Sequence, residues 1–421
     1  MRLIYSLAWL LILPLAFLHL MVRSRRQPGY LRNWPERLGF ARVPAGGAPI
    51  WLHAVSVGET RAATSLIRLL RQRHPELPIL LTHTTPTGRD TGRDLFGGEV
   101  TQAYLPYDFP PLVAMFLHRA KPCTGIVLET EIWPNLYAGC AHRGVPLYLV
   151  NARLSARPAR GYQRLAWLTR PALRALAGVA AQTAADAERL TALGARDVVV
   201  TGNLKFDVAA MSPAKPLVEA FRQRFHGRFV WLAASTRDGE EVLLLDALTS
   251  LDLPDLLLVI VPRHPQRFED VAGLLRARGM RFARRSAAGP ATDDTRVFLG
   301  DSMGELAAYY AAADLAYVGG SLLPFGGQNL IEAAAAGCPI LIGPHTWNFA
   351  EAAEQAVARG AARRVADVAE LARAVRELHA DAAQRAAMSA AGTAFAAENR
   401  GATERVYALI AQTLAQCSAR N

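Results

Sequence analysis

Carboxylates recur in this chain directly behind short apolar runs, where a side chain can do chemistry rather than merely face solvent. In residues 53–59, HAVSVGE, Glu59 falls in the first turn of a helix. A helix N-terminus stabilises negative charge by roughly 0.3–1 kcal/mol, so Glu59 is expected to stay ionised at neutral pH and to accept a proton. Acidic residues are also common in first turns for that dipole reason alone. In residues 128–135, LETEIWPN, Glu129 and Glu131 lie on one side of an extended chain among apolar neighbours. Unpaired buried charge is expensive, so these two are expected either to hold a substrate's hydroxyls or to pair with arginines.

A second kind of chemistry is written into residues 319–349, GGSLLPFGGQNLIEAAAAGCPILIGPHTWNF. An apolar run at 315–318 enters a turn whose glycines, Gly319, Gly320, Gly326 and Gly327, permit close backbone approach, and residues 328–336 have helix propensity. A phosphate laid across that turn is expected to meet unpaired amides at the positive helix end. Glu332, one turn in, could take the two hydroxyls of a ribose; Asn329 and Glu332 also read as a capping box. Lys205 in GNLKFD (202–207) and Arg263 in Pro262-Arg263-His264-Pro265 follow other apolar runs, and Arg263 can grip a carboxylate or phosphate with two prongs. Asp301-Ser302-Met303-Gly304-Glu305 repeats the theme, with amides able to hold phosphate or base. There is no GxxxxGK[ST], no HExxH and no cluster with metal-ligand spacing, which argues against P-loop, triad and metal chemistry.

The elements that must position these groups alternate strand and helix, the pattern of a parallel sheet covered on both faces. Strands are expected at 49–55, 79–82, 125–129, 147–151, 178–182 and 198–202, then at 229–234, 256–261, 297–300, 315–318 and 339–342. The implied architecture is α/β, two Rossmann-like domains with a cleft between them, ligands sitting beyond the carboxyl ends of the strands. The boundaries read as an anchor over 1–27, a first domain over 28–207, a link over 208–228 containing MSPAKP, a second domain over 229–366, and helices over 367–421 packing back across the link.

Residues 3–22 form an apolar run about long enough to span a bilayer, followed by Arg23, Arg25 and Arg26, which the positive-inside rule places in the cytoplasm. With no small-residue cleavage site, a retained anchor is expected; a helix lying on the membrane face is the alternative. A net charge of +11 and a pI near 9.9 point to an acidic partner: nucleic acid, an anionic membrane or a phosphorylated substrate. Nucleic-acid signatures are missing, and carboxylates at strand ends would repel a phosphate backbone. Cys123, Cys140, Cys338 and Cys417 lack CxxC spacing and read as reduced thiols.

Taken together, HAVSVGE, LETEIWPN, NARLS, GNLKFD, VPRHPxRF, DSMGEL and the 326–349 block, in this order behind an apolar N-terminal run, resemble the 3-deoxy-D-manno-octulosonic acid (Kdo) transferases of Gram-negative lipopolysaccharide biosynthesis. The resemblance spans nearly the whole chain. It implies a GT-B glycosyltransferase fold, CMP-Kdo as donor substrate with no cofactor or metal, and a lipid A precursor (lipid IVA) as acceptor. It places the catalytic body on the cytoplasmic face of the inner membrane, against an anionic surface, with no nucleic-acid partner. By position it makes Glu59 the general base of an inverting displacement. Ser56, Gly58, Glu129, Glu131, Lys205 and Arg263 would place the sugars, and Pro262, Arg263, Ser302, Met303, Gly304, Asn329 and Glu332 would hold CMP. The chain departs from the family's STHxGEE at Arg237, where a histidine is usual, and at Arg157-Pro158, where serine is usual. A UDP-sugar transferase or epimerase of the same fold, and a non-catalytic membrane or nucleic-acid scaffold, are the competing classes.

Overall fold

Uninterrupted apolar runs such as Leu256–Pro262 can only be central strands buried on both faces, and such strands organise both halves of the protein. The computed structural model describes residues 2–25, 27–209, 215–287, 292 and 294–419. Its strands are β1 (Ile50–His53), β2 (Ile79–His83), β3 (Thr101–Tyr104), β4 (Thr124–Leu128), β5 (Leu147–Ala152), β6 (Gly178–Ala181) and β7 (Val198–Val200), followed by β8 (Phe229–Thr236), β9 (Leu256–Pro262), β10 (Phe282–Arg284), β11 (Val297–Leu299), β12 (Leu315–Val318), β13 (Ile340–Ile342) and β14 (Ala362–Arg364). They form two parallel seven-stranded sheets, ordered β3-β2-β1-β4-β5-β6-β7 and β10-β11-β9-β8-β12-β13-β14.

Three strands absent from the sequence reading, β3, β10 and β14, all lie at sheet edges. An edge strand is buried less and keeps polar side chains, as in Thr101-Gln102 and Arg363-Arg364, so no apolar run announces it.

The chain divides into two compact units, Met1–Val208 with Arg400–Asn421, and Ala209–Asn399. This differs from the boundaries expected above. Of the link, residues 210–214 lie outside the described residues, whereas the helix Lys215–Arg224 belongs to the second unit and packs on the helix Leu306–Ala312. The C-terminal helices are likewise not one body. Val368–Ala380 and Ala382–Glu398 pack in the second unit, and only Ala402–Ser418 in the first. Asp207 of GNLKFD holds that last helix by accepting the Gly401 and Thr403 N–H groups at 2.7 and 2.6 Å.

The terminal helix also overturns the expectation of four free thiols. It packs against β4 and β6, and so brings Cys417 to Cys123. The two are disulfide-bonded with Cα atoms 5.6 Å apart, although 294 residues separate them; Cys140 and Cys338 remain free and buried.

Candidate active site

In each sheet the first strand is flanked by strands reached through crossovers on opposite sides, β1 by β2 and β4, β8 by β9 and β12. At such a switch point the two outgoing loops diverge and leave a crevice at the carboxyl edge. HAVSVGE and LETEIWPN follow β1 and β4, and the glycine turn follows β12, whereas GNLKFD follows the edge strand β7, Arg263 follows β9 and Ser302 to Gly304 follow β11.

In the first unit, β1 leads through extended Ser56 into the helix Val57–Ala62. Glu59 is 8% exposed. Its Oε2 accepts the Val55 N–H at 2.7 Å and its Oε1 accepts the Ser56 hydroxyl at 2.8 Å, so Ser56 orients the acid. Gly58 beside it is exposed. Burial first, then the charge of Glu129, pushes the Glu59 carboxyl up to about 7 against the pull of those two hydrogen bonds. The expectation of a carboxylate fully ionised at neutral pH is therefore corrected. A helix end supplies at most about 1 kcal/mol, less than one pKa unit, and burial outweighs it. His53, at the head of the motif, is buried and held neutral, its carbon frame packed and its Nδ1 3.0 Å from the Thr82 hydroxyl.

Glu129 follows β4 with a left-handed φ of 58°, held by its N–H on the Val150 carbonyl at 2.9 Å. Its carboxylate pairs with Lys205 Nζ at 3.3 Å, a lysine where an arginine partner was anticipated. Asn151 of NARLS sets that lysine's helix by accepting the Leu204 N–H at 3.1 Å. Glu131, half-buried, is raised to about 7 by burial and by Glu129. Three motifs far apart in sequence thus supply one cluster of three carboxylates and an ammonium.

This cluster predicts a pH dependence of stability. Glu59 and Glu131 both bind protons more tightly folded than unfolded, from an ordinary 4.5 to about 7. Their contribution is present below about 4.5 and is lost as pH rises through 7. The urea midpoint of the first unit is expected to fall over that window, and Glu59→Gln to flatten the slope.

In the second unit the glycine turn after β12 is held from within. Glu240, fully buried, accepts the N–H groups of Gly320 at 2.6 Å, Ser321 at 3.1 Å and Leu322 at 3.3 Å, together with the Tyr317 hydroxyl at 2.6 Å and the Arg237 N–H at 2.9 Å. Gln328 and Gly327 donate their amides to Gly319 and Gly320 carbonyls at 3.0 and 2.7 Å. The Gly320, Ser321 and Leu322 amides of the turn are thus already taken by a protein carboxylate. Gly319 is required by contact, since a Cβ there would lie 2.5 Å from the Ser235 carbonyl oxygen. The anticipated helix over 328–336 shortens to Ile331–Ala335, with Asn329 Oδ1 capping Ile331 N–H at 3.1 Å and Asn329 Nδ2 donating to Glu332 at 2.9 Å. The N-cap position is Leu330, so the reciprocal capping box is not formed and the pair is joined side chain to side chain.

Positive charge near the turn comes from side chains. Arg237 stacks 4.8 Å over Phe325 and lies 2.9 Å from His264 Nε2. Burial and then Arg237, Arg263 and Arg267 lower the His264 pKa, which suits a neutral imidazole accepting from Arg237. Arg263, half-buried behind Pro262, donates its N–H to the Thr236 carbonyl at 3.1 Å. Arg267 clamps Glu241 at 2.6 and 3.1 Å, and Thr236 donates to the same carboxylate at 2.7 Å.

Ser302, Met303 and Gly304 leave β11, which the two strands β9 and β8 separate from β12. Ser302 donates to Glu305, which Arg285 grips at 2.8 and 2.9 Å, while Met303 is exposed. The helix that follows, Leu306–Ala312, packs on Ile331–Ala335, so these residues share a neighbourhood with Glu332. Among the described residues no group of three or more His, Cys, Asp or Glu is arranged to hold a metal ion.

Tyr317 was not singled out from sequence, and Glu240 and Asn151 stood out only as members of strand-end segments, with no role of their own.

Two parallel seven-stranded units of this topology are the architecture of the GT-B fold, and solved structures agree on it. The UDP complex of MnaA from S. aureus superposes with a TM-score of 0.61 over 87% of this chain and 97% of that one, at 16% identity. UDP-GlcNAc 2-epimerase from Neisseria meningitidis bound to UDP-GlcNAc does so at 0.60 over 86% and 100%, at 15% identity. Residues 32–208 match the model of 3-deoxy-D-manno-octulosonic-acid transferase (kdotransferase), and 242–395 that of glycosyl transferases group 1. The 3-deoxy-D-manno-octulosonic acid transferase of Bordetella pertussis is 46% identical over 96% of this chain and 97% of its own length, and that of Haemophilus influenzae 37% identical over 97% and 98%. The chain belongs to the Kdo transferase family of lipopolysaccharide biosynthesis.

Proposed function

We propose that this Kdo transferase moves Kdo from CMP-Kdo to a lipid A precursor, lipid IVA, with inversion at the anomeric carbon, and that Glu59 is the general base. The observation that carries the reading is the buried Glu59 carboxyl poised near pH 7 on a switch-point loop. A base works best with a pKa near the working pH. Glu59 takes the proton of the acceptor's primary hydroxyl as that oxygen bonds to the anomeric carbon. The bond to the CMP phosphate breaks with its electron pair, and CMP leaves as an anion.

Ser56 and Gly58 shape the acceptor side, and Glu129, Glu131 and Lys205 place hydroxyls and the sugar carboxylate. In the second unit Arg263, with Pro262, receives the phosphate, assisted by Arg237 in place of the family's histidine. Ser302, Met303, Gly304 and Asn329 bound the nucleotide, and Glu332 takes the ribose. Because the Glu240-bound amides are occupied, leaving-group charge falls to arginine, which offers paired donors to phosphate. The Arg2–Ser24 helix, long and apolar enough to cross a membrane, anchors the protein at the cytoplasmic face of the inner membrane.

The reading requires no metal or cofactor, so transfer is expected to persist in EDTA, measured as product mass. Lys205→Ala removes the cation beside Glu129, which strengthens the field that raises Glu59. The acidic limb of kcat/KM is therefore expected to move upward, measured as a pH profile beside that of the wild type. The defining experiment incubates the protein with CMP-Kdo and tetraacylated lipid A precursor and weighs the product. Addition of at least one Kdo supports the reading. Thermal stabilisation by UDP but not CMP, with no mass gain, overturns it.

A further inference from the structure

The Arg2–Ser24 helix is docked along its length. Ser6 and Leu20 are buried, and Trp9, Leu13, Ala16 and Phe17 are half-buried between them, at three- and four-residue steps that define one face. On that face Tyr5 donates to Asp108 at 3.0 Å and Ser6 to Asn135 at 3.1 Å. Trp9 and Phe17 both pack on Tyr107, at 5.9 and 6.3 Å between ring centres, and Phe17 also meets Trp34 at 5.6 Å. From Tyr5 to Leu20 this is a seam about 22 Å long at 1.5 Å per residue.

Asp108 is 2% exposed and is itself tied to the helix Pro134–His142, accepting the Asn135 and Leu136 N–H groups at 3.1 and 2.7 Å. Drawing the Arg2–Ser24 helix through a bilayer would strip Tyr5 and Ser6 from these partners, leaving Ser6 its bond to the Arg2 carbonyl at 2.9 Å and the buried Asp108 without the tyrosine hydroxyl.

The opposite face is open and apolar: Leu3, Leu7, Leu11, Leu15, Leu18 and Val22 are each more than half exposed. Its surroundings are cationic. Residues 1–35 contain five arginines and no acidic residue. Arg2, Arg23, Arg25 and Arg32 are exposed, as are Leu31 and Trp34, while Arg26 lies outside the described residues. The first carboxylate, Glu36, is buried against Arg89 at 2.6 Å. An apolar strip rimmed by arginine and tryptophan complements an anionic lipid leaflet rather than a second copy of the same cationic surface.

We propose that the Arg2–Ser24 helix is a monotopic anchor, staying docked on the first unit and lying in the plane of an anionic leaflet with its leucine face among the acyl chains. The proposal rests on the reading of this helix as the membrane anchor and replaces the spanning orientation with an in-plane one. It is independent of the sugar chemistry.

The test uses the full-length protein with single cysteines introduced in turn at positions 3–22, spin-labelled and bound to vesicles of phosphatidylcholine with 30% phosphatidylglycerol. Depth is read from relative accessibility to oxygen and to a water-soluble nickel complex. The expected profile oscillates every 3.6 residues, with positions 3, 7, 11, 15, 18 and 22 at one common shallow depth. A single maximum near the middle of the helix, falling to water at both ends, overturns the in-plane pose while leaving the anchor intact. Labels that stay in water, or a face covered by self-association without lipid, overturn the anchor as well. Flotation is expected to weaken at least tenfold on pure phosphatidylcholine; equal binding to both vesicles overturns the charge complementarity. Product formation on detergent-solubilised acceptor is read in parallel, so that failure of the pose and failure of the transfer reaction are told apart.

Discussion

Glu59→Gln is expected to lower kcat for Kdo transfer by about 10²–10⁴-fold, the usual worth of a positioned general base, while CMP binds the second unit as before. The substitution is nearly isosteric. The amide oxygen can still accept the Val55 N–H, and the amide nitrogen can donate to the Ser56 oxygen, so both contacts of the native acid have a counterpart. What is lost is the ability to take a proton. The sign of the accompanying pH effect follows from the upward shift of Glu59 to about 7. The wild type works with the ionised form, so its activity is expected to rise through pH 7 and level off above it, and that limb is expected to vanish in the residual activity of the variant. Near-normal turnover by Glu59→Gln, with CMP binding retained, removes Glu59 as the base.

The largest expected effect on stability is at Glu240. Its carboxylate accepts four backbone amides and a tyrosine hydroxyl with no exposure to solvent. Glu240→Gln keeps the volume but turns an NH₂ group toward donors, leaving buried amides without an acceptor. Losing one partner of a buried charged network costs about 3–5 kcal/mol. In a unit of this size a kilocalorie moves the midpoint by about 2–4 °C, so the thermal transition of the second unit is expected to fall by about 10 °C. CMP affinity is expected to fall with it, because the carboxylate fixes the 319–322 turn. The measurement is differential scanning calorimetry with and without CMP. A transition within 2 °C of wild type would show that the turn holds its shape without this acid.

Glu240 also marks where reading the sequence stops. Apart from the Arg237 N–H, its partners lie some eighty residues on, at Tyr317 and 320–322, and no local spacing connects them. A glycine-rich turn before a helix was legible as an anion site; that a side chain of the protein itself takes the 320–322 amides was not. The disulfide between Cys123 and Cys417 and the clamp of Asp207 on the terminal helix belong to the same class of long-range facts. The edge strands β3, β10 and β14 escaped for the opposite reason, since half-exposed strands need no apolar run.

Backbone alternation, the apolar runs of the central strands and the acids and glycines placed behind them are local properties, set by hydrophobic periodicity and turn chemistry. They were sufficient to determine two Rossmann-like units and to put Glu59, Glu129, Glu131 and Lys205 at strand ends. Tertiary structure alone decided how those groups behave. Burial and the neighbouring Glu129 move Glu59 to about 7 where the helix dipole by itself would hold it ionised, because desolvation depends on everything packed around a charge and not on its neighbours in sequence.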